Sequence, residues 1–191
     1  MIRIMLVDDH PAMRAGLTGV LTAEPGMVPL GAAASAAELL PVLNRTRPDV
    51  VLLDYHLPDT DGLLLCRRLK REIPAPAVLL YSAYADAQLA LPAILAGADG
   101  LLHKSAPAPA LYDAIRCVAR GERVMPPVPR ELLTAASAKV EAEDLPLIGM
   151  ALDGALPDDM AAALRCDATE IAARVDAILE RLRVEVPTIA P

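Results

Sequence analysis

Aromatic side chains are scarce in this chain of 191 residues, which has no Trp, no Phe and only four Tyr. A hydrophobic core must therefore consist of Leu, Val, Ile, Ala and Met, and a hydrophobic content of 54% is sufficient for one. Many proteins that bind single-stranded nucleic acid stack the bases on aromatic rings. The shortage of rings argues against that mode of binding.

Positive charge is also in short supply, with 18 Lys and Arg against 25 Asp and Glu and a net charge of -7. This balance argues against a general polyanion binder. The chain has no run of about 18 apolar residues free of charge, Pro and Gly, so we expect a soluble, cytoplasmic protein with no membrane partner. Cys66, Cys117 and Cys166 lack the spacing of metal ligands, which predicts reduced thiols.

The most informative stretch is Val50-Val51-Leu52-Leu53, which Asp54 follows directly. Four consecutive branched apolar residues are typical of a strand that is buried on both faces of a parallel sheet. Ligands bind such sheets in the crevice outside the carboxyl ends of the strands. We therefore expect the Asp54 carboxylate at the mouth of that crevice.

Polar side chains follow three other predicted strands in the same way. These are Asp8 and Asp9 after Ile2–Val7, Ser82 after residues 77–81, and Lys104 after residues 101–103. A further strand, Met27–Ala33, contains Pro29, which places it at a sheet edge because proline cannot donate to a strand ladder. Five strands that alternate with five helices predict an α/β, doubly wound parallel sheet.

Asp8, Asp9 and Asp54 should repel one another unless a cation lies among them. Mg²⁺ suits such a site because it prefers carboxylate, water and phosphate oxygens. Lys104 supplies a mobile positive charge and Ser82 a hydroxyl donor, and both suit phosphoryl oxygens. The residues therefore indicate phosphoryl transfer onto a carboxylate, with an acyl phosphate as the product.

Residues 1–121 resemble the receiver domain of bacterial two-component response regulators. The matching stretches are Leu6-Val7-Asp8-Asp9-His10, Leu53-Asp54, Leu57-Pro58-Asp59-Thr60-Asp61-Gly62, Tyr81-Ser82-Ala83 and Gly97-Ala98-Asp99-Gly100-Leu101-Leu102-His103-Lys104-Ser105. The resemblance implies a flavodoxin-like sheet of order 2-1-3-4-5 and a phosphoryl group accepted on Asp54 from a sensor histidine kinase. It also implies that Asp8, Asp9 and Asp54 hold Mg²⁺, that Ser82 moves to meet the phosphoryl group and that Lys104 pairs with it.

One position departs from the receiver pattern. Leu101 stands where receivers usually carry the Tyr or Phe that turns inward on activation, so this chain lacks the aromatic switch. His56 and Tyr84 lie two residues after Asp54 and Ser82, where the receiver pattern places groups that tune hydrolysis of the phosphoaspartate; the alternative is that both are exposed loop residues. For His10 and His103 we expect packing at strand ends rather than chemistry.

The second half of the chain divides into a Pro-rich linker over residues 122–138, a helical region over residues 139–186 and a tail over residues 187–191. The helical region resembles the LuxR-type helix-turn-helix of NarL/FixJ regulators, a small all-α output domain. The match rests on Leu147-Ile148, Gly154, Met160-Ala161-Ala162-Ala163-Leu164, Ile171 and residues 178–184. Ile171, Val175, Ile178, Leu179 and Leu182 form the predicted apolar stripe of its last helix.

The polar positions of this region are less typical of a DNA reader. From residue 166 to residue 184 the chain carries three basic and four acidic groups, whereas phosphate contacts need Lys and Arg. Ala172 and Ala173 occupy the expected reading face, where base readout needs polar donors. The remaining candidates for contact with DNA or a protein partner are Thr169, Arg174, Arg181 and Arg183.

Two functions follow from these features. The first is a response regulator that controls gene expression through its helix-turn-helix, with weakened DNA binding. The second is a phosphorylation-switched interaction protein whose degenerate helix-turn-helix binds another protein or forms a homodimer. A phosphatase is a weaker third idea, since the chain has no substrate domain; we expect no enzyme activity beyond slow autodephosphorylation.

Overall fold

The structure is a computed structural model that describes residues 1–182. It contains two compact units. The first unit consists of Met1–Ala85 and Gly97–Pro126. The second consists of Asp86–Ala96 and the chain from Pro127 onward. A segment from the middle of the sequence therefore clusters with the C-terminal part.

The first unit is built on a five-stranded parallel sheet of order β2-β1-β3-β4-β5, which confirms the predicted fold class and strand order. The strands are β1 (Ile2–Val7), β2 (Met27–Ala33), β3 (Val50–Leu53), β4 (Ala77–Ser82) and β5 (Gly100–His103). Strand β2 lies at the edge, as Pro29 predicts, and its pairing with β1 shifts register between Ile4 and Met5.

The register brings the carboxyl ends of the strands to one edge of the sheet. Val7 pairs with Leu53, and Leu53 pairs with Leu80 on the far side. The four residues of β3 are at most 2% exposed, because strands lie on both sides and helices cover both faces. The residues at the carboxyl ends of these strands therefore meet in one crevice.

The described residues contain nine α-helices. They are α1 (Pro11–Ala23), α2 (Ala36–Thr46), α3 (Gly62–Leu69), α4 (Ala87–Leu95), α5 (Ala108–Ala119), α6 (Arg130–Ser137), α7 (Leu145–Leu152), α8 (Pro157–Leu164) and α9 (Ala168–Arg181). Helix α2 begins as predicted, since Ser35 accepts a hydrogen bond from the Glu38 N–H at 3.2 Å. The Glu38 carboxylate accepts one in return from the Ala34 N–H at 2.8 Å.

One face of the sheet, together with α1 and α5, encloses a core made almost entirely of aliphatic side chains. Its fully buried members include Ile4, Leu6, Leu21, Val50, Leu79 and Ile115. Tyr81 is the only ring in this cluster of buried residues. The aliphatic core predicted from the composition is therefore present.

The second unit contains α4 and the helices α6 to α9. Helix α4 is buried all round, from Leu89 to Leu95, and it packs against α6, α7 and α9. A helix that is apolar on every face needs neighbours on every side. Helix α6 lies inside residues 122–138, where the sequence predicts a linker without a helix; Pro129 is its N-cap.

Helices α7, α8 and α9 form the predicted helical region. The apolar stripe of α9 is confirmed, since Ile171, Val175, Ile178, Leu179 and Leu182 are all buried. Helix α8 begins at Pro157 with Asp158 and Asp159 in its first turn, where acids favour the positive end of the helix. Among residues 1–182, none of the helices has the length and apolar character needed to cross a membrane.

Candidate functional site

Asp8, Asp54 and Lys104 meet at the carboxyl edge of the sheet, as the sequence predicts. The Lys104 ammonium donates hydrogen bonds to Asp8 Oδ2 at 2.6 Å and to Asp54 Oδ2 at 2.7 Å. The two carboxylate residues are only 3% and 4% exposed. Asp8 and Asp54 are 96 and 50 positions away from Lys104 in the sequence, yet the three side chains form one buried charged cluster.

Burial raises the pKa of the Asp54 carboxyl, and the Asp8 charge adds to that rise; Lys104 opposes it without cancelling it. Burial lowers the pKa of the Lys104 ammonium, but its hydrogen bonds to Asp54 and Asp8 outweigh that effect and raise the pKa overall. Both raised pKa values favour the protonated forms of these groups, the neutral carboxyl of Asp54 and the charged ammonium of Lys104. Two carboxylates against one ammonium leave a net charge of -1, so the cluster favours additional positive charge.

Asp9 and His10 border this cluster. One ligand atom from each of Asp8, Asp9, His10 and Asp54 lies within 4.8 Å of the others. The Asp9 Oδ1 atom is buried and accepts no well-formed hydrogen bond from the described residues, although His10 Nδ1 is 2.6 Å away. A buried carboxylate oxygen without a donor, beside a net negative charge, fits a hard dication such as Mg²⁺.

The loop after β3 is held by backbone constraints that explain its residues. A Cβ on Gly62 would lie 2.5 Å from the Asp54 carbonyl oxygen, so only glycine allows this close approach. Asp61 caps α3 by accepting the Leu63 N–H at 2.6 Å. Asp59 accepts the N–H groups of Ala36 and Ala37 and thereby ties this loop to the start of α2.

Ser82 ends β4 and is completely buried. Its Oγ atom accepts the Tyr84 N–H at 3.1 Å, and its carbonyl oxygen accepts the Lys104 N–H at 3.0 Å. Tyr81 supports the same region, since its hydroxyl donates to the Lys104 carbonyl at 3.1 Å. The two residues assigned to phosphoryl binding are thus linked through the backbone.

His56 and Tyr84 contact each other, with ring centroids 5.2 Å apart. Both are half-buried, so neither is a freely exposed loop residue. Their role in hydrolysis stays a prediction. Leu101 is 4% exposed and lies inside β5, paired with Leu80.

In the second unit, the candidate contact residues are not brought together into a basic surface. Arg174 donates to the buried carboxylate of Asp144 at 2.7 Å and also to the Glu143 carbonyl oxygen. Arg181 lies 3.1 Å from Glu141. Thr169 is exposed in the first turn of α9, and Arg183 lies outside the described residues.

Several residues of the site have no role in the sequence analysis. These are Tyr81, Asp59 and Arg14, which supports the site by donating to the Asp8 carbonyl oxygen at 2.7 Å. His103 is exposed and hydrogen-bonded on both ring nitrogens, which differs from the expected packing. Asp59 and Tyr81 have a sequence signal, because both lie in stretches that match the receiver pattern, whereas Arg14 has none.

A five-stranded parallel sheet of order 2-1-3-4-5 with acidic residues, a hydroxyl and a lysine at its carboxyl edge defines a receiver. The sequence family described as the response regulator receiver domain matches residues 4–116. The chain therefore belongs to the response regulator family.

The relatives are NarL/LuxR-type response regulators. The DNA-binding transcriptional activator DevR/DosR of Mycobacterium tuberculosis is 38% identical over 125 residues, which are 65% of this chain and 58% of DevR. The structure of a LuxR-family response regulator from Aurantimonas covers 72% of this chain and 99% of its own, with 32% identity and a TM-score of 0.63.

A third similarity extends over both units. The response regulator ChrA of a heme-sensing two-component system is 30% identical, with a TM-score of 0.57, and covers 97% of this chain and 92% of its own. The C-terminal helices therefore resemble those of this response regulator. The chain spans 58–60% of the length of the curated relatives that it matches.

Proposed function

We propose that this response regulator accepts a phosphoryl group on Asp54 from a histidine kinase. The observation that carries the proposal is the Lys104 ammonium held between the buried carboxylates of Asp8 and Asp54. An ammonium in that place can exchange a hydrogen bond to a carboxylate oxygen for one to a phosphoryl oxygen. An ordinary structural ion pair needs one carboxylate, and the second one here leaves charge to be balanced.

In the proposed step, a carboxylate oxygen of Asp54 attacks the phosphorus of a phosphohistidine on the kinase. The new O–P bond forms as the P–N bond breaks, and the departing imidazole takes up a proton. Lys104 and the Ser82 hydroxyl are the side-chain donors that we propose for the phosphoryl oxygens.

Mg²⁺ is the proposed cofactor, and Asp8, Asp9 and Asp54 are the residues that would hold it. It would supply charge neutralisation between the carboxylates and the incoming phosphoryl group. The chain acts as an acceptor rather than as an enzyme with a separate substrate. Slow hydrolysis of its own phosphoaspartate is the only turnover that we propose, and we propose that His56 and Tyr84 tune its rate.

For the output we propose control of gene expression through the C-terminal helices, with weak direct DNA binding. The relative DevR is a DNA-binding transcriptional activator, which supports the first part. On α9, the helix in the recognition position, the exposed charged residues are Glu170, Asp176, Glu180 and Arg181. Three acids against one arginine would face DNA phosphates unfavourably, which supports the second part.

A second candidate output is contact with a protein partner or a second copy of the chain. The inward turn of Arg174 toward Asp144 favours it, because this arginine of the recognition position contributes to the fold instead of to a DNA surface. An acidic, alanine-containing helix face suits a basic protein surface better than a polyanion.

The test of the phosphoryl proposal is a labelling experiment with a small phosphodonor such as acetyl phosphate. We expect one added phosphoryl group on Asp54 in the presence of Mg²⁺, located by mass spectrometry, and none in excess chelator. Asp54→Asn should abolish labelling. Asp113→Asn, at an exposed carboxylate on α5, is the matched control and should label normally. Labelling of the Asp54→Asn variant would overturn the proposal.

A further inference from the structure

We propose that His103 is a positioning residue for Ser82, acting through the peptide bond between Ala83 and Tyr84. This inference rests on the proposed function, because Ser82 is assigned there to the phosphoryl group. It assigns a role to a side chain that lies next to Lys104 in the sequence but points toward a different loop.

The hydrogen bonds of the His103 ring determine where its proton lies. Nε2 is 2.7 Å from the Ala83 carbonyl oxygen, which can only accept, so Nε2 carries the hydrogen. Nδ1 accepts the backbone N–H of Ser105 at 3.0 Å and lies 2.6 Å from the Ser105 hydroxyl. The ring is therefore held as one neutral tautomer, with a partner on each nitrogen.

The peptide that His103 holds is the one that holds Ser82. The carbonyl oxygen of Ala83 accepts from His103, while the N–H on the other side of the same peptide bond, that of Tyr84, donates to Ser82 Oγ at 3.1 Å. Rotation of this peptide would break both hydrogen bonds together. Because Oγ accepts from Tyr84, the hydroxyl hydrogen of Ser82 remains available to donate to a phosphoryl oxygen.

The backbone beside this peptide is already tied to the strand that carries the lysine. The Lys104 N–H donates to the Ser82 carbonyl oxygen at 3.0 Å, and His103 lies one residue earlier. Ala83 is exposed and belongs to a loop, and its carbonyl oxygen accepts a hydrogen bond from His103 on β5. His103 thus completes the link between the Ser82 loop and the end of β5.

Two variants separate the hydrogen bond from the bulk of the side chain. His103→Leu keeps the volume and removes the donor, whereas His103→Gln offers an amide N–H near the position of Nε2. His103 is exposed, so both variants should fold, and thermal unfolding checks this directly. Ser105→Ala, which removes only one partner of Nδ1, should have a smaller effect than His103→Leu.

The first measurement is amide hydrogen exchange of Tyr84 in the full-length, unphosphorylated chain. We expect His103→Leu to accelerate this exchange by roughly tenfold, the loss of about one hydrogen bond, with partial recovery in His103→Gln. The amide of Leu80, inside β4, should not change. Equal Tyr84 exchange in all variants would overturn the inference, whether or not Asp54 accepts phosphate.

The second measurement is the rate of Asp54 labelling by acetyl phosphate with Mg²⁺. We expect His103→Leu to slow labelling by roughly fivefold, His103→Gln to recover part of the loss, and the effect of His103→Leu to vanish in a Ser82→Ala background. An undiminished effect in that background would show that His103 does not act through Ser82. Failure of the unsubstituted chain to label would instead overturn the proposed function and leave the exchange result standing.

Discussion

The first and second units each bury a cationic side chain against an aspartate, but the charges balance differently. In the first unit, Lys104 lies between two buried carboxylates, with Asp9 close by, so negative charge is in excess. In the second unit, Arg174 pairs one to one with Asp144. The Lys104 cluster is therefore stabilised by a further cation or by the loss of a negative charge, whereas the Arg174–Asp144 pair is already neutral.

This difference distinguishes a site from a structural ion pair. Both pairs are well hydrogen-bonded, with N–O distances of 2.6–2.7 Å, so geometry alone does not separate them. The excess negative charge does separate them. Burying unbalanced charge costs free energy, and such charge is concentrated at functional sites. In the second unit, Arg174 is thus a structural residue that pairs with Asp144.

The largest effect should come from Lys104→Ala, which removes the cation between Asp8 and Asp54. We expect the free energy of unfolding to fall by about 3 kcal/mol without Mg²⁺, since two buried carboxylates then repel each other unscreened. Added Mg²⁺ should recover much of this loss. Urea unfolding with and without Mg²⁺ measures both quantities.

Lys70→Ala is the matched control. Lys70 pairs with Asp99 at 2.9 Å, but both side chains are about a quarter exposed, at 28% and 25%. We expect a loss of about 1 kcal/mol that Mg²⁺ does not restore. If Mg²⁺ stabilised the Lys70 and Lys104 variants equally, the excess charge would not be located at Asp8 and Asp54.

The second effect concerns the structural ion pair. Arg174→Ala should lower the free energy of unfolding by about 2 kcal/mol, because it leaves the Asp144 carboxylate buried without its partner. Arg181→Ala, on the same helix but in an exposed pair with Glu141, should cost less than about 0.5 kcal/mol. Chemical unfolding compares them, and equal values would contradict the inward role of Arg174.

The smallest effect concerns Asp59, whose pKa is lowered by the Ala37 and Ala36 N–H groups that its carboxylate accepts. Asp59→Ala should cost about 0.5 kcal/mol near neutral pH, a small value because the carboxylate is exposed. A lowered pKa means that this contribution is present above the ordinary value of 3.8 and is lost as the pH falls through the folded value. Unfolding of both proteins at a series of acidic pH values should therefore converge.

The site residues at the strand ends were predictable, because short, mostly apolar segments indicate where each parallel strand stops. Asp8, Asp54, Ser82 and Lys104 each follow or end such a run, and parallel strands bring their carboxyl ends together. The prediction of a parallel sheet and of its crevice needed only local patterns and the rule of short, right-handed connections, whereas the strand order came from the resemblance to receivers.

The remaining features depend on partners distant in the sequence. Arg174 is hydrogen-bonded to Asp144, thirty residues away, and His103 is hydrogen-bonded to the Ala83 carbonyl oxygen, twenty residues away. Neither contact leaves a local pattern. Helix α6 is a different case, because the prolines that indicated a linker also favour a helix start at Pro129.

The burial of helix α4 from Leu89 to Leu95 could have been predicted from the sequence. Residues 89–96 contain no polar side chain, which is more than one buried face requires. The structure gives the reason, since α4 packs against α6, α7 and α9 in the second unit. A stretch that is apolar on every face is thus an indication that another part of the chain covers it.

We propose that the phosphoryl site is complete while the DNA-reading surface is not. The most direct measurement is the salt dependence of DNA binding by the full chain, phosphorylated on Asp54, with Asp54→Asn as the unphosphorylated reference. Each neutralised phosphate contributes about -0.9 to the slope of log K against log salt. With Arg165 and Arg181 as the exposed arginines of α8, α9 and the turn between them, we predict a slope of about -2 per chain and weak binding. Tight binding with a slope near -6 per chain would contradict the account and identify the second unit as an ordinary DNA reader.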